Sequence, residues 1–107
     1  MPLTKSFNET IKARLQKSDG FRRALLREAV SAMLSGDLET GKSVLRKYIN
    51  GTVGFTKLGA ELGKSPKVLM RMLSAVGNPQ ARNLFEIVAY LQKHEGTVLE
   101  VVDRTAA

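Results

Sequence analysis

Cysteine is absent from this chain of 107 residues, and histidine occurs once. Without cysteine the protein can form neither disulfides nor thiolate zinc sites, and His94 alone cannot supply a metal-binding cluster. His94 also lacks a serine or cysteine nucleophile in a recognisable setting, so the sequence predicts no catalytic site, no metal and no cofactor. We therefore expect a binding protein of a reducing, cytoplasmic compartment rather than an enzyme.

Long apolar segments are absent as well. No run approaches the ~20 residues that a membrane-spanning helix requires, and the first residues, MPLTKSFNETIK, lack the apolar stretch of a signal peptide. These absences predict a soluble protein without a membrane partner.

Acidic residues are scarce relative to basic ones. The chain has 17 Lys and Arg residues against 10 Asp and Glu residues, and its formal net charge is +7. This excess favours a polyanionic partner such as DNA or RNA, although charge predicts affinity and not the identity of the partner. With 43% hydrophobic residues, the length suits one domain that spans residues 1–107.

The first fifty residues carry helical periodicity. Ser6 and Glu9 form a capping box that predicts a short helix ending near Lys17, and residues 18–20 should interrupt the helical pattern. The apolar stripe of this first helix consists of Phe7, Ile11 and Leu15. The next segment, FRRALLREAVSAMLS, is apolar over more than half of its circumference, so we expect a central helix that ends at Gly36.

Asp37 is placed to cap a third helix, which Asn50-Gly51 should end. Its inward-facing residues are predicted to be Leu38, Val44, Leu45, Tyr48 and Ile49. The same region, GDLETGKS at residues 36–43, matches the phosphate-loop pattern G-x-x-x-x-G-K-S. The residues that would hold a nucleotide are Gly41, Lys42 and Ser43. Such a loop must follow a buried strand, and here it follows an amphipathic helix, so nucleotide binding is a remote alternative.

Residues 55–73, FTKLGAELGKSPKVLMRML, have the spacing of a helix-turn-helix. Leu58 and Leu62 share one face of a short helix, Gly63 follows as a left-handed helix stop, and Ser65-Pro66 opens a second helix. A packed helical hairpin with no role in DNA binding is the alternative interpretation. The spacing and the positive charge together favour the helix-turn-helix.

The second helix of this hairpin should have two unlike faces. The residues expected to pack on the core are Leu69, Met72, Leu73 and Val76. The residues expected on the outer face are Lys67, Met70, Arg71 and Ser74, which make that face basic and polar, as a helix that reads a DNA groove requires. Met70 is apolar, so it could contact a thymine methyl group or be partly buried between helices.

The remaining residues predict one long helix and one strand. Gly77-Asn78-Pro79 should start the helix, with Asn78 as N-cap and Pro79 as first helical residue, and Glu95-Gly96 should end it. Its apolar stripe consists of Ala81, Leu84, Phe85, Val88 and Leu91. Residues 97–102, TVLEVV, are rich in β-branched side chains and predict a strand that pairs with a second copy of the chain.

These patterns predict an all-α domain of five to six helices with a central helix-turn-helix and a short C-terminal β-strand. Residues 1–50 form a helical extension, residues 52–95 the helix-turn-helix core, and residues 97–102 the strand.

The segment GFTKLGAELGKSPKVLMRMLSAVGNPQARNLFEIVAYL resembles the Cro/repressor-type helix-turn-helix of the addiction-module antidote family, the antitoxins of type II toxin-antitoxin modules. The resemblance covers roughly residues 52–93. It implies a homodimer that binds a palindromic operator in double-stranded DNA, represses its own operon and neutralises a small protein toxin. The alternative is a stand-alone phage-type or chromosomal regulator without a toxin. In the antitoxin interpretation, either residues 3–50 or the strand of residues 97–102 would bind the toxin.

The resemblance also assigns the DNA contacts. Ser65, Lys67 and Arg71 fall at positions that face the major groove, and Thr56 and residues 78–82 fall near the phosphates. The residues expected to contact DNA are Thr56, Lys64, Ser65, Lys67, Met70, Arg71, Ser74, Asn78, Gln80 and Arg82. Gly59 stands where alanine is usual, and we expect it to permit close packing of the two helices.

Overall fold

Every regular element between residues 2 and 105 is an α-helix. The computed structural model describes the backbone over this range and the side chains of residues 7–105. The six helices in it are α1 (Pro2–Lys17), α2 (Asp19–Leu34), α3 (Leu38–Gly51), α4 (Phe55–Leu62), α5 (Pro66–Met72) and α6 (Ala81–Glu95). The predicted all-α class is therefore confirmed.

The boundary between α1 and α2 differs from the prediction. Because α1 begins at Pro2, Ser6 lies inside the helix and does not cap it; the Ser6 side chain lies outside the described residues. The predicted end at Lys17 is confirmed. The interruption that follows is one residue long, because the Ser18 hydroxyl accepts a hydrogen bond from the Phe21 amide at 3.1 Å and starts α2 at Asp19.

The start of α3 is set by local chemistry, as predicted. Gly36 has φ +89°, a conformation that favours glycine and ends α2. Asp37 then accepts a hydrogen bond from the Thr40 amide at 3.2 Å, and hydrogen bonds from the side chain and the backbone of Thr40 lower the pKa of the Asp37 carboxyl. The helix ends at Gly51, which confirms the predicted Asn50-Gly51 stop.

All six helices contribute to one hydrophobic core. α2 packs against α1, α3 and α6, which confirms its predicted central place, and α4 packs against α5. The buried apolar side chains are Leu15, Leu26, Ala29, Val44, Leu45, Tyr48, Ile49, Phe55, Leu58, Leu69, Leu73, Leu84, Ile87, Val88 and Leu91. The inner face of α6 is rotated from the predicted stripe, because Ile87 is buried while Phe85 and Ala81 are exposed. Leu34 and Phe7 are also exposed.

A polar cluster joins the end of α6 to α2 and α3. The buried Glu95 carboxylate accepts hydrogen bonds from Arg22 Nε at 2.9 Å and from the Tyr48 hydroxyl at 2.6 Å. Burial, and then the bond to Glu95, raise the pKa of the Tyr48 hydroxyl well above its usual range. The helix then stops at Gly96, with φ +73°, as predicted.

The C-terminal segment does not form the predicted strand. The Leu99 amide donates to the side-chain oxygen of Gln92 at 2.8 Å, and the Leu99 side chain packs against the core. Val98, Val101 and Val102 are exposed. Residues 2–105 contain no strand, and a strand needs a neighbouring strand for its backbone hydrogen bonds. Pairing of this segment with a second copy of the chain stays a prediction. Over residues 2–105, no helix has both the length and the apolar character needed to cross a membrane.

Candidate nucleic-acid interface

Helices α4 and α5 form the predicted two-helix motif with the predicted boundaries. α4 ends at Leu62, and Gly63 adopts φ +68°, the left-handed conformation of a helix stop. The Ser65 hydroxyl accepts a hydrogen bond from the Val68 amide at 3.1 Å, and Pro66 is the first residue of α5. The turn between the helices therefore consists of residues 63–65.

Gly59 allows the turn to lie directly against α4. A Cβ atom at this position would lie 2.4 Å from the Lys64 carbonyl oxygen and 3.4 Å from the Pro66 nitrogen. The Gly59 carbonyl also accepts a hydrogen bond from the Lys64 amide at 2.9 Å. Both contacts involve backbone atoms, which cannot move aside without changing the turn. The structure confirms that glycine at this position permits the close packing of the hairpin.

The exposed residues of α5 are Lys67, Val68, Met70 and Arg71, and all but Val68 were predicted on its outer face. Lys67 and Arg71 are exposed and lie four residues apart, so they point to the same side of the helix. Met70 lies between them in sequence and is 46% exposed. Leu69 and Leu73 are fully buried and fix the opposite side of the helix on the core. The two predicted faces of α5 are therefore confirmed for these residues.

Ser74 and Val76, which were assigned to α5, lie beyond its C-cap residue Leu73. The helix stops at Met72, and Ser74 belongs to the loop before α6. The Ser74 hydroxyl donates to the Arg71 carbonyl at 2.8 Å, so its proton is used within the turn. Val76, predicted to pack on the core, is 91% exposed. Both predictions were wrong because they extended the helical periodicity past the point where the chain turns.

The expected phosphate-contacting residues fall into two groups. Thr56 is exposed in the first turn of α4, and Arg82 is exposed in the first turn of α6. Asn78 does not cap α6, because that helix begins at Ala81 with Gln80 at the N-cap position. Asn78 and Gln80 are exposed residues of the loop.

The N-terminal ends of α4 and α6 are suited to an anion. Neither Gly54, the N-cap of α4, nor Gln80, the N-cap of α6, makes a side-chain capping hydrogen bond. The first backbone N–H groups of both helices therefore remain free of such a partner, and they carry partial positive charge.

Lys64 and Ser65 have structural partners already. Lys64 Nζ lies 3.9 Å from Glu86 Oε1 on α6, a partly exposed pair that contributes little stability and leaves the ammonium free to change partner. Ser65 uses its oxygen as an acceptor for the cap, and its O–H group remains a donor. Basic residues outnumber acidic ones around the hairpin: Lys57, Lys64, Lys67, Arg71 and Arg82 stand against Glu61 and Glu86.

The sequence interpretation considered Lys42 of α3 only for nucleotide binding and did not single out Arg46, and it missed the contacts that both residues make with the loop after α5. Lys42 is 1% exposed, and its ammonium donates to the Ser74 carbonyl at 3.0 Å and to the Gly77 carbonyl at 2.7 Å. The Arg46 guanidinium donates to the Leu73 carbonyl. The signal was present in the sequence, since Lys42 lies four residues after Leu38 and three before Leu45, on the apolar face of α3.

This geometry also accounts for the phosphate-loop pattern. The element before residues 36–43 is helix α2, Gly36 turns the chain, and Asp37 caps α3, as the favoured interpretation predicted. The Lys42 ammonium is bound to backbone carbonyls and to the Glu39 carboxylate at 3.1 Å. Lys42 is therefore not available to a phosphate in this structure.

The chain was compared with models of protein families, with curated proteins and with solved structures, and no significant match was found. The site must therefore be interpreted from its own geometry and charge.

Proposed function

We propose that this protein is a sequence-specific DNA-binding protein in which α5 enters the major groove and reads base edges. The observation that carries the proposal is the hairpin of α4 and α5, in which Leu69 and Leu73 are buried while Lys67 and Arg71 are exposed on the opposite side. An α-helix fits the major groove, and Arg or Lys recognises guanine there through its O6 and N7 acceptors.

The surroundings of the hairpin support contacts with the DNA backbone. Thr56 and Arg82 lie in the first turns of α4 and α6, whose N-caps supply no side-chain hydrogen bond. Backbone N–H groups at such helix ends bind phosphate oxygens in a fixed orientation and so set the register of the protein on the duplex. The formal net charge of +7 adds attraction that does not depend on sequence.

The biological role that we propose is repression of transcription by a homodimer at a palindromic operator. By its resemblance to the addiction-module antidote family, the protein would repress its own operon and neutralise a small toxin. A stand-alone regulator is the second candidate, because the chain offers the same hairpin whether or not a toxin exists. Co-expression of the full chain with the neighbouring reading frame distinguishes the two: a stable complex supports the antitoxin, and no complex favours the stand-alone regulator.

The test of DNA recognition is selection of bound duplexes from a random library, followed by gel-shift titration of the enriched sequence. Replacing Arg71 with alanine should cost about 1 to 3 kcal/mol at that sequence and relax the preference at one base pair. Arg23→Ala removes the same charge from an exposed position on α2 and should change affinity little. Recovery of no enriched sequence, or equal affinity of the Arg71 variant, would contradict the proposed function.

A further inference from the structure

The buried Lys42 ammonium has two carbonyl acceptors and one carboxylate around it. An ammonium has three N–H donors; here it donates hydrogen bonds to the Ser74 carbonyl at 3.0 Å and to the Gly77 carbonyl at 2.7 Å, and it forms an ion pair with the Glu39 carboxylate at 3.1 Å. A lysine is rarely buried unless every donor is paired. Two of the three partners belong to the loop that follows α5, some thirty-two and thirty-five residues away in sequence.

Arg46 lies one helical turn after Lys42 and extends the same contact. Its guanidinium donates to the Leu73 carbonyl, which belongs to the C-cap residue of α5. Together the two cations of α3 bind carbonyls of Leu73, Ser74 and Gly77. Leu73 lies at the end of α5, where carbonyls lack a partner within the helix and carry partial negative charge, so the Arg46 cation satisfies both requirements there. Ser74 and Gly77 belong to the loop that follows, and Lys42 binds their carbonyls.

Helix α5 needs such support because it has only seven residues. A helix of this length is marginal on its own, and its orientation depends on tertiary contacts. Its N-terminal end is held by Ser65 and by the close contact with Gly59. Its C-terminal end is held by Lys42 and Arg46, since the carbonyls of residues 73, 74 and 77 accept their hydrogen bonds.

We propose that Lys42 and Arg46 are positioning residues for sequence-specific DNA binding: they fix the C-terminal end of α5 relative to α3, so that Lys67 and Arg71 meet base edges in one register. This inference rests on the proposed function of α5. Base-edge contacts tolerate little displacement, whereas phosphate contacts depend mainly on charge and tolerate more. Loss of either positioning residue should therefore impair specific binding more than non-specific binding.

The variants are Lys42→Met and Arg46→Met, with Lys47→Met as the matched control. Lys47 belongs to the same helix and carries the same charge, but its Nζ lies 3.5 Å from Ser43 Oγ within α3 and does not bind the loop. Arg46→Lys retains a cationic donor, so it should keep most of the specific DNA affinity that Arg46→Met loses. Thermal unfolding followed by circular dichroism establishes which variants are folded. If Lys42→Met does not fold, the Arg46→Met variant supplies the test, because Arg46 is only half-buried.

Two measurements are expected to change together. Amide exchange in the free protein should accelerate at residues 73–77 in both methionine variants and not in the control. Affinity for the selected duplex should fall about 10- to 100-fold, because without these hydrogen bonds to charged groups the binding-competent orientation of α5 is populated less. Affinity for a random duplex should stay within about twofold, with an unchanged salt dependence.

Several outcomes would overturn the inference. Unchanged exchange at residues 73–77 would show that the cations do not hold the loop. Faster exchange with full specific affinity would show that the loop does not position α5. A parallel fall of both affinities with a weaker salt dependence would make these residues phosphate ligands instead. If the unaltered chain selects no duplex, the proposed function fails and the positioning role fails with it, while the exchange data still report whether the loop is held.

Discussion

Two polar-proline dipeptides in this chain have opposite outcomes. Ser65-Pro66 starts α5, with the Ser65 hydroxyl as cap and Pro66 as the first helical residue. Asn78-Pro79 carries the same local signal, yet α6 begins only at Ala81. The comparison shows that a capping signal permits a helix start without enforcing it.

The difference lies in what precedes and follows each dipeptide. Ser65 comes after the left-handed Gly63, and Leu69, in the first turn of the following helix, is fully buried. Asn78 comes after Gly77, whose carbonyl is bound by Lys42 of α3. The first residue of α6 that reaches the core is Leu84. Burial of Leu69 therefore stabilises a helix that starts at Pro66. Asn78, in contrast, lies in the turn whose Gly77 carbonyl is bound by Lys42.

The largest expected effect comes from breaking that turn with Gly77→Ala. A Cβ atom at residue 77 would lie 2.1 Å from the Arg71 carbonyl oxygen and 2.5 Å from that of Met72, both backbone atoms. The variant should lose about 3 kcal/mol of unfolding free energy, measured by urea denaturation. Gly20→Ala is the control, because its nearest neighbour would be Ser18 Oγ at 3.9 Å. That variant should unfold like the unaltered protein or be stabilised by up to ~1 kcal/mol. Equal stability of the two variants would refute the packing at Gly77.

A smaller effect sharpens the comparison itself. Ser65→Ala removes the acceptor of the Val68 amide and should cost about 1 kcal/mol of unfolding free energy. Asn78→Ala alters an exposed loop residue and should change the same quantity by less than about 0.5 kcal/mol. Losses of similar size at both positions would mean that Asn78 acts as a cap after all.

The smallest effect concerns Asp37, a third helix start that was predicted and formed. Hydrogen bonds from Thr40 lower the pKa of Asp37 in the folded protein. A carboxyl with a lowered folded pKa stabilises the fold above its unfolded pKa, about 3.9, and loses this contribution as the pH falls through the folded value. Asp37→Asn keeps an acceptor but does not titrate. The stability of the unaltered protein relative to this variant should therefore be constant near neutral pH and decrease below about pH 4, in urea denaturation at a series of pH values.

The sequence predictions that were confirmed depend on interactions between residues close together in the chain. Gly63 and Gly96 end helices, and Asp37 and Ser65 start them, through atoms that lie within one helical turn. The inner and outer faces of α5 followed from periodicity alone, because the alternatives would place Lys67 or Arg71 in the core. Periodicity therefore placed Lys67 and Arg71 on the outer face, and the resemblance to the antidote family supplied their expected role as DNA contacts.

The wrong predictions depended on distant partners. Residues 97–102 have strand-like composition, but the single chain supplies no partner strand over residues 2–105, and the Leu99 amide donates to the Gln92 side chain instead. Ser74 and Val76 were assigned to α5 because the helical periodicity was extended past Met72. The sequence does not reveal that Lys42 and Arg46 bind the carbonyls of the turn there. The phosphate-loop pattern matched by residue type alone. In the structure Lys42 is buried and donates hydrogen bonds to carbonyls of the loop after α5.

The sequence by itself determined the helical class, the hairpin of α4 and α5 and the basic outer face of α5, because caps, glycine stops and periodicity act between residues a few positions apart. Only the tertiary structure decided where α6 begins, that the C-terminal segment stays outside any sheet, and that Lys42 and Arg46 hold the end of α5. The contacts of Lys42 and Arg46 join groups more than twenty-five residues apart in sequence. Local chemistry cannot specify which distant donor will form a hydrogen bond with a given carbonyl. The packing of the core decides which donor lies close enough.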